Sequence, residues 1–225
     1  MKEWNEQYHS VHGAIQEANY VYITQGLLFC FDRILSRYSD QPEKIMDRQF
    51  PGLSILEIGF GTGLNAFLTL LKADEYRIET NYIGVEAYPI SSDEVLALNY
   101  VDELHVSERN VLFDKMHDLP WETETRLSTY FTLQKQHKFF EDITAKDQFD
   151  LIYFDAFGAR VQPELWTEDI FKIMFEALKE NGVLVTYAAK GSVRRAMQAV
   201  GFMVEKLPGP PGKREMLRAL KLVNC

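Results

Sequence analysis

Two apolar runs, residues 54–58 and 64–71, are separated by Gly59-Phe60-Gly61-Thr62-Gly63, and this stretch limits the possible folds more than any other. The first run is short and carries one carboxylate, Glu57, near its end. The second has helical length. The pattern predicts a strand, a glycine turn and a helix. Three alternate glycines remove the Cβ atoms that would hold a ligand off the backbone, and they permit the positive φ angles of a tight turn.

The dinucleotide fingerprint G-x-G-x-x-G places its third glycine three residues after the second. Here that position is Leu64, and Gly63 comes one residue early. An acid inside the strand followed by G-x-G-x-G suits S-adenosylmethionine better than NAD, because this ligand has no pyrophosphate to cradle. The next strand, residues 82–86, ends in Glu86 at the spacing where such folds hold ribose hydroxyls. Without a ligand, the same residues would make an ordinary turn and a solvated strand end.

A chain of 225 residues with 46% apolar and 25% charged residues suffices for one α/β core. Residues 1–50 are expected to form an N-terminal extension packing on a domain of residues 51–225. No apolar run approaches membrane-spanning length and the first residues lack a signal-peptide core, so a cytoplasmic location is expected. Cys30 and Cys225 lie far apart, and the five histidines show no ligand spacing beyond His9 and His12; no metal is expected. The net charge of −9 is unevenly spread: residues 186–225 hold eight Lys/Arg against two acids. Such a segment can face a polyanion or serve solubility alone.

Residues 4–13 read as loop, and 15–31 as helix or strand-and-turn with a buried face. The helical pattern continues over 32–38 and breaks at Ser39-Asp40-Gln41-Pro42. Ser91 or Ser92 is placed to cap a helix over 93–100. Residues 101–127 are irregular, with short helical pieces. Residues 129–135 alternate as a strand. The acids Glu141 and Asp142 follow an aromatic pair; Asp142 is a candidate for the adenine amino group, or else a helix cap. Residues 149–155 form a near-continuous apolar strand, as in the middle of a parallel sheet. Ligands of open α/β sheets bind at the carboxyl ends of strands, which makes Asp155 the prime chemical candidate; otherwise it caps the following turn. A helix to Leu178 closed by Asn181-Gly182, a strand over 183–188, a helix over 192–200 and a hairpin of 202–207 with 215–222 complete the chain.

This order resembles a class I S-adenosylmethionine-dependent methyltransferase: a Rossmann-like, doubly wound, mostly parallel α/β sheet with a C-terminal antiparallel hairpin. More narrowly it resembles the MnmC-like family, which methylates 5-aminomethyl-2-thiouridine at the tRNA wobble position. The likeness rests on Tyr8-His9-Ser10, Glu17, Tyr20-Val21-Tyr22, Glu57 to Asn65, Glu86-Ala87-Tyr88-Pro89, Phe154-Asp155-Ala156-Phe157, Pro163 to Thr167, Val193-Arg194-Arg195, Gly201-Phe202 and Lys213 to Leu217. It implies that Glu57, Gly59, Gly61, Gly63, Asn65 and Glu86 bind the cofactor, with Asp142 at its adenine. Asp155 would act on the acceptor, and Phe157, Arg194, Lys213 and Arg214 would face tRNA. Relatives carry glycine where Ala156 stands. Some are fused to a flavin-dependent oxidase, so a separate FAD-dependent enzyme or a GTPase complex is expected to act upstream. The other readings are a small-molecule amine transferase, such as a metabolite methyltransferase or polyamine synthase, and a non-catalytic cofactor- or RNA-binding module.

Overall fold

The computed structural model describes residues 11–37 and 52–222. Residues 1–10, with the Tyr8-His9-Ser10 motif, and the predicted break at 39–42 lie outside the described residues. The helix that opens the description starts at Val11 and takes in the last three residues of the expected loop.

One sheet of eight strands forms the middle layer: β1 (Leu53–Ile58), β2 (Thr80–Glu86), β3 (Thr125–Arg126), β4 (Phe131–His137), β5 (Phe149–Phe154), β6 (Leu178–Thr186), β7 (Met203–Pro208) and β8 (Glu215–Leu220). Their order is β3-β4-β2-β1-β5-β6-β8-β7. The β4-β2-β1-β5-β6 block is parallel, while β3 and the β7–β8 hairpin pair antiparallel. The chain therefore leaves β1 in one direction along the sheet and returns on the other side at β5. That reversal opens a crevice at the carboxyl ends of the two strands.

Period-two alternation sorts the strands between two cores. Leu53 and Ile55 of β1, and Leu151 and Tyr153 of β5, face one core; Leu56, Ile58, Ile152 and Phe154 face the other. By the same parity Glu57 and Asp155 point toward the first face.

That face is covered by α1 (Val11–Ala18), a π-helical segment (Asn19–Leu28) and α2 (Phe29–Arg37), joined end to end, and by α3 (Leu64–Tyr76). The short helices α4 (Ser92–Leu96) and α5 (Tyr100–Glu103) and the longer α6 (Asn110–Asp118) follow β2. Ser91 caps α4 in a reciprocal box with Glu94. The opposite face carries α7 (Glu168–Ala177) and α8 (Gly191–Ala199). Asn181 does not close α7. The helix ends at Ala177, and Asn181, at φ 62°, lies within β6 in the irregular stretch of its pairing with β5, between Leu178 and Val183.

The π segment lies flat on the sheet because of Gly26. A Cβ there would stand 3.0 Å from Tyr153 Cε1 and 3.0 Å from Val185 Cγ2. Tyr22, one turn earlier, is fully buried with its ring 5.2 Å from that of Tyr153. π turns recur at functional sites because the extra residue re-aims a side chain. Gly26→Val would wedge this helix away from β5 and β6. We expect urea unfolding to report a loss of about 1–3 kcal/mol, the usual cost of overpacking; unchanged stability would contradict this packing.

Candidate active site

The carboxyl ends of β1, β2 and β5 open into a cleft of about 730 Å3, a volume suited to a small-molecule ligand. The glycine turn forms its floor, and its three glycines serve different ends. At Gly59 (φ 89°) a Cβ would stand 2.7 Å from the Asp155 carbonyl oxygen, so this glycine lets β1 and β5 end side by side. Gly61 (φ 51°) has only the Gly59 carbonyl oxygen nearby, at 3.9 Å, and offers bare backbone to the cleft. Gly63 (φ 71°) lies outside the lining; a Cβ there would meet Met116 and His117 of α6.

Glu86 sits at the end of β2. Its carboxylate accepts from the Gly61 N–H at 3.0 Å and the Tyr88 N–H at 2.9 Å. Two backbone donors fix its direction, and its remaining lone pairs can accept from a diol. Beyond it the exposed rings of Tyr88 and Phe139 meet edge to face at 6.1 Å and flank the cleft mouth. The acid that lines the cleft here is Glu141. Asp142, expected at the adenine, is exposed at the end of the 3-10 turn Phe140–Asp142 and outside the lining.

Asp155, just past β5, is the centre of a polar network. Its Oδ1 accepts from the Tyr22 hydroxyl at 2.6 Å, and its Oδ2 from Asn65 Nδ2 at 2.8 Å. The same Asn65 nitrogen donates to Glu57 Oε1 at 2.9 Å. Glu57, expected against the cofactor, is fully buried beneath the cleft, so it orients Asn65 rather than lining the site. Burial pushes the Glu57 carboxyl well above the carboxylate range, against the pull of its bond from Asn65. Glu57 Oε2 and the Tyr82 hydroxyl make no hydrogen bond among the described residues, although each bears on the other's titration.

Burial also raises Asp155 from 3.8 to about 7. The bonds from Tyr22 and Asn65 oppose the rise; Glu17 adds to it and Lys213 subtracts. Tyr22 is pushed well above its ordinary value, first by burial and then by Asp155, so its hydroxyl keeps its proton and donates.

Phe157 lines the cleft, its carbonyl held by Trp166 Nε1 at 2.8 Å. The two basic residues expected to face tRNA from the hairpin part company. Arg214 is exposed, whereas Lys213 turns inward, donating to Glu17 at 2.6 Å over the ring of Tyr187. Arg194 is half-buried in α8 and outside the lining, its Nε without a hydrogen-bond partner among the described residues. Tyr22, Glu17, Tyr187 and Glu141 were given no role by the sequence. Their signal was weak: Glu17 and Tyr22 fall within the family-like segments, but nothing in local spacing ties either to a strand end more than a hundred residues away.

The site fits S-adenosylmethionine on its own geometry. A bare glycine approach, a backbone-held acid at the end of the second strand and an aromatic mouth share one cleft with an acid at the crossover. The fold is that of the class I methyltransferases. A family described as S-adenosyl-L-methionine-dependent methyltransferase matches residues 112–222. The chain is 27% identical over 228 residues to the tRNA 5-methylaminomethyl-2-thiouridine biosynthesis bifunctional protein MnmC of Paraburkholderia xenovorans, covering 95% of this chain and 32% of that protein. It is 31% identical over 175 residues to MnmC of Paracidovorax citrulli, covering 73% of this chain and 27% of that one. The chain thus spans about a third of the length of these curated relatives. The crystal structure of MNMC2 from Aquifex aeolicus superposes with a TM-score of 0.63 at 23% identity, covering 97% of this chain and 65% of that one, and shares the fold. Residues 112–222 thus match an S-adenosyl-L-methionine-dependent methyltransferase family, and the chain is similar to MnmC proteins over most of its length. Among the described residues no helix is long and apolar enough to cross a membrane, and no cluster of His, Cys, Asp and Glu could hold a metal ion.

A raised Asp155 has a consequence for stability. Between pH 3.8 and about 7 the folded protein holds a proton that the unfolded chain has released. This contribution is fully present below the unfolded pKa and is lost as pH rises through the folded one. Asp155→Asn should therefore flatten the decline in unfolding free energy across that window, measured by urea titration at a series of pH values. Equal slopes in wild type and variant would contradict the raised carboxyl.

Proposed function

We propose that the protein transfers a methyl group to the aminomethyl nitrogen of 5-aminomethyl-(2-thio)uridine at the tRNA wobble position, giving the 5-methylaminomethyl nucleoside. The observation that carries the reading is the doubly held carboxylate of Asp155 in the same cleft as the glycine turn and Glu86. The likeness to MnmC proteins adds the tRNA substrate.

In this reading Gly59 and Gly61 give the cofactor backbone contact, Glu86 takes its ribose hydroxyls, and Glu141, in place of Asp142, serves the adenine side, where Phe139 and Phe140 also line the cleft. When bound, S-adenosylmethionine supplies an electrophilic methyl on a sulfonium. The chain's task is to hold a neutral amine behind that methyl; alignment alone can be worth about 7–11 kcal/mol of barrier. With lysine's pKa of about 10.4 as an upper guide, freeing an aliphatic amine of its proton near pH 7 costs up to about 4–5 kcal/mol.

Asp155 is suited to that step. Tyr22 and Asn65 occupy one lone pair on each of its oxygens and fix the carboxylate plane, leaving other lone pairs to accept from the amine and aim its lone pair. A carboxyl titrating near neutrality takes the proton more readily than an ordinary aspartate would. Phe157 and Leu165 place apolar surface on the side where the base would enter. Arg194 and Arg214 both bear on Glu215, and together with exposed Lys190 and Arg195 they would offer basic groups to the RNA backbone. The aminomethyl precursor would come from a separate FAD-dependent enzyme or a GTPase complex, and the work would take place in the cytoplasm.

Incubation with methyl-labelled cofactor and tRNA lacking the terminal methyl should place label in the wobble nucleoside. Asp155→Ala should lose about 10²-fold or more in turnover at saturating tRNA, the usual scale for a general base. Near-wild-type turnover in that variant, label only in a small amine, or binding without transfer would overturn the reading.

A further inference from the structure

The acceptor end of the cleft is bridged by a group of residues without a role in the scheme above. Glu17 comes from α1, Lys213 from the turn between β7 and β8, and Tyr187 from just beyond β6; all three line the cleft with Asp155. Lys213 Nζ donates to Glu17 Oε1 at 2.6 Å and lies 4.1 Å from the centroid of the Tyr187 ring. A second tie runs alongside, from the Tyr20 hydroxyl to the Pro208 carbonyl at 3.1 Å. Lys213 and Glu17 keep only 27% and 20% side-chain exposure. An ion pair so placed is screened less than one on the open surface, and the aromatic face beneath the ammonium adds cation–π attraction.

We infer that Glu17 and Lys213 are positioning residues for methyl transfer: their pair clamps α1 to the β7–β8 turn over the acceptor end of the cleft and sets two opposed charges in the cavity that Asp155 lines. The inference rests on the assignment of Asp155 to the acceptor amine. The groups facing that carboxylate can be named by element. Tyr22 comes from the π segment, Asn65 from α3 with Glu57 of β1 behind it, Glu17 from α1, and Lys213 from the hairpin turn. Asp155 also acts at longer range on Tyr82 of β2 and Tyr100 of α5. Tyr22 and Asn65 act through hydrogen bonds that involve neither clamp residue. Glu17 and Lys213 act on Asp155 through space alone, with opposite signs.

This predicts a pattern that a merely structural ion pair would not produce. Removing the charge of Glu17 takes away a neighbour that disfavours the ionised carboxyl, so Asp155 should titrate lower. Removing the charge of Lys213 takes away a neighbour that favours it, so Asp155 should titrate higher. Protein labelled with 13C at aspartate carboxyls allows the Asp155 resonance to be followed in the free enzyme, identified by its loss in Asp155→Asn. Relative to wild type, Glu17→Gln should lower the midpoint and Lys213→Met should raise it, each by about half a pH unit or more, the scale for a unit charge within one cleft. The double variant should return near the wild-type midpoint. The acid limb of kcat/KM for methylation of tRNA should move in step with these midpoints.

Shifts of the same sign in both single variants, or none in either, would overturn the inference. Should Lys213→Met fail to fold, the sign of the shift in Glu17→Gln decides alone. If wild-type enzyme carries no methyl to tRNA, the proposed substrate fails, while the free-enzyme titrations still decide whether the clamp acts on Asp155.

Discussion

The structure turns on one carboxylate held by two donors from different parts of the chain. Asp155 ends the central strand β5; Tyr22 reaches it from the π segment and Asn65 from the helix behind the glycine turn. A half-buried carboxyl without partners would be costly, and here each oxygen has one. The three elements can satisfy one another only if the N-terminal helices lie on the sheet face to which Asp155 points. Strand parity and Gly26 together allow that docking. The packing of residues 11–37 and the chemistry at the crossover are thus one problem with one solution.

The network extends downward through a shared amide. Asn65 bridges Glu57 and Asp155 through a single side-chain nitrogen, which suits a pair in which one carboxyl keeps its proton. Burial makes Glu57 that member, since it is fully enclosed while Asp155 opens on the cleft. A proton held below and a titrating acid above leave Asp155 as the group that can exchange with a ligand. The glycine turn sits within the same frame: Gly59 abuts the Asp155 backbone and the Gly61 N–H is tied to the Glu86 carboxylate, so Glu86 and Asp155 are fixed relative to each other through the turn.

The parts legible from sequence were those whose signals are local. Strand, glycine turn, helix and the acid-tipped second strand lie within 34 residues, from Leu53 to Glu86, and each has a period or composition of its own. β5 was legible because a strand buried on both faces reads as an apolar run. The π segment was not, because its residues have the same propensities as an α-helix and the wider turn is imposed by docking on Tyr153 and Val185. Residues 140–142 form a single 3-10 turn, where a shift of one position decides whether Glu141 or Asp142 faces the cleft, and no periodicity resolves that. Lys213 reads as a solvent-facing base in a proline-glycine turn. Its inward course depends on Glu17, 196 positions away. Gly63, expected at the cofactor, has the positive φ that the glycine pattern predicts but lies outside the cleft lining, crowded by Met116 and His117 from a stretch whose helices are hard to delimit from sequence.

The central claim is that the glycine turn, Glu86 and Asp155 form one site with the methyl donor between them. A crystal structure with S-adenosylhomocysteine tests it most directly. The account predicts the ribose hydroxyls on the Glu86 carboxylate, the sulfur on the side of Asp155, and the bonds from Tyr22 and Asn65 to that residue unchanged. A ligand lodged elsewhere, or one whose sulfur points away from Asp155, would contradict it.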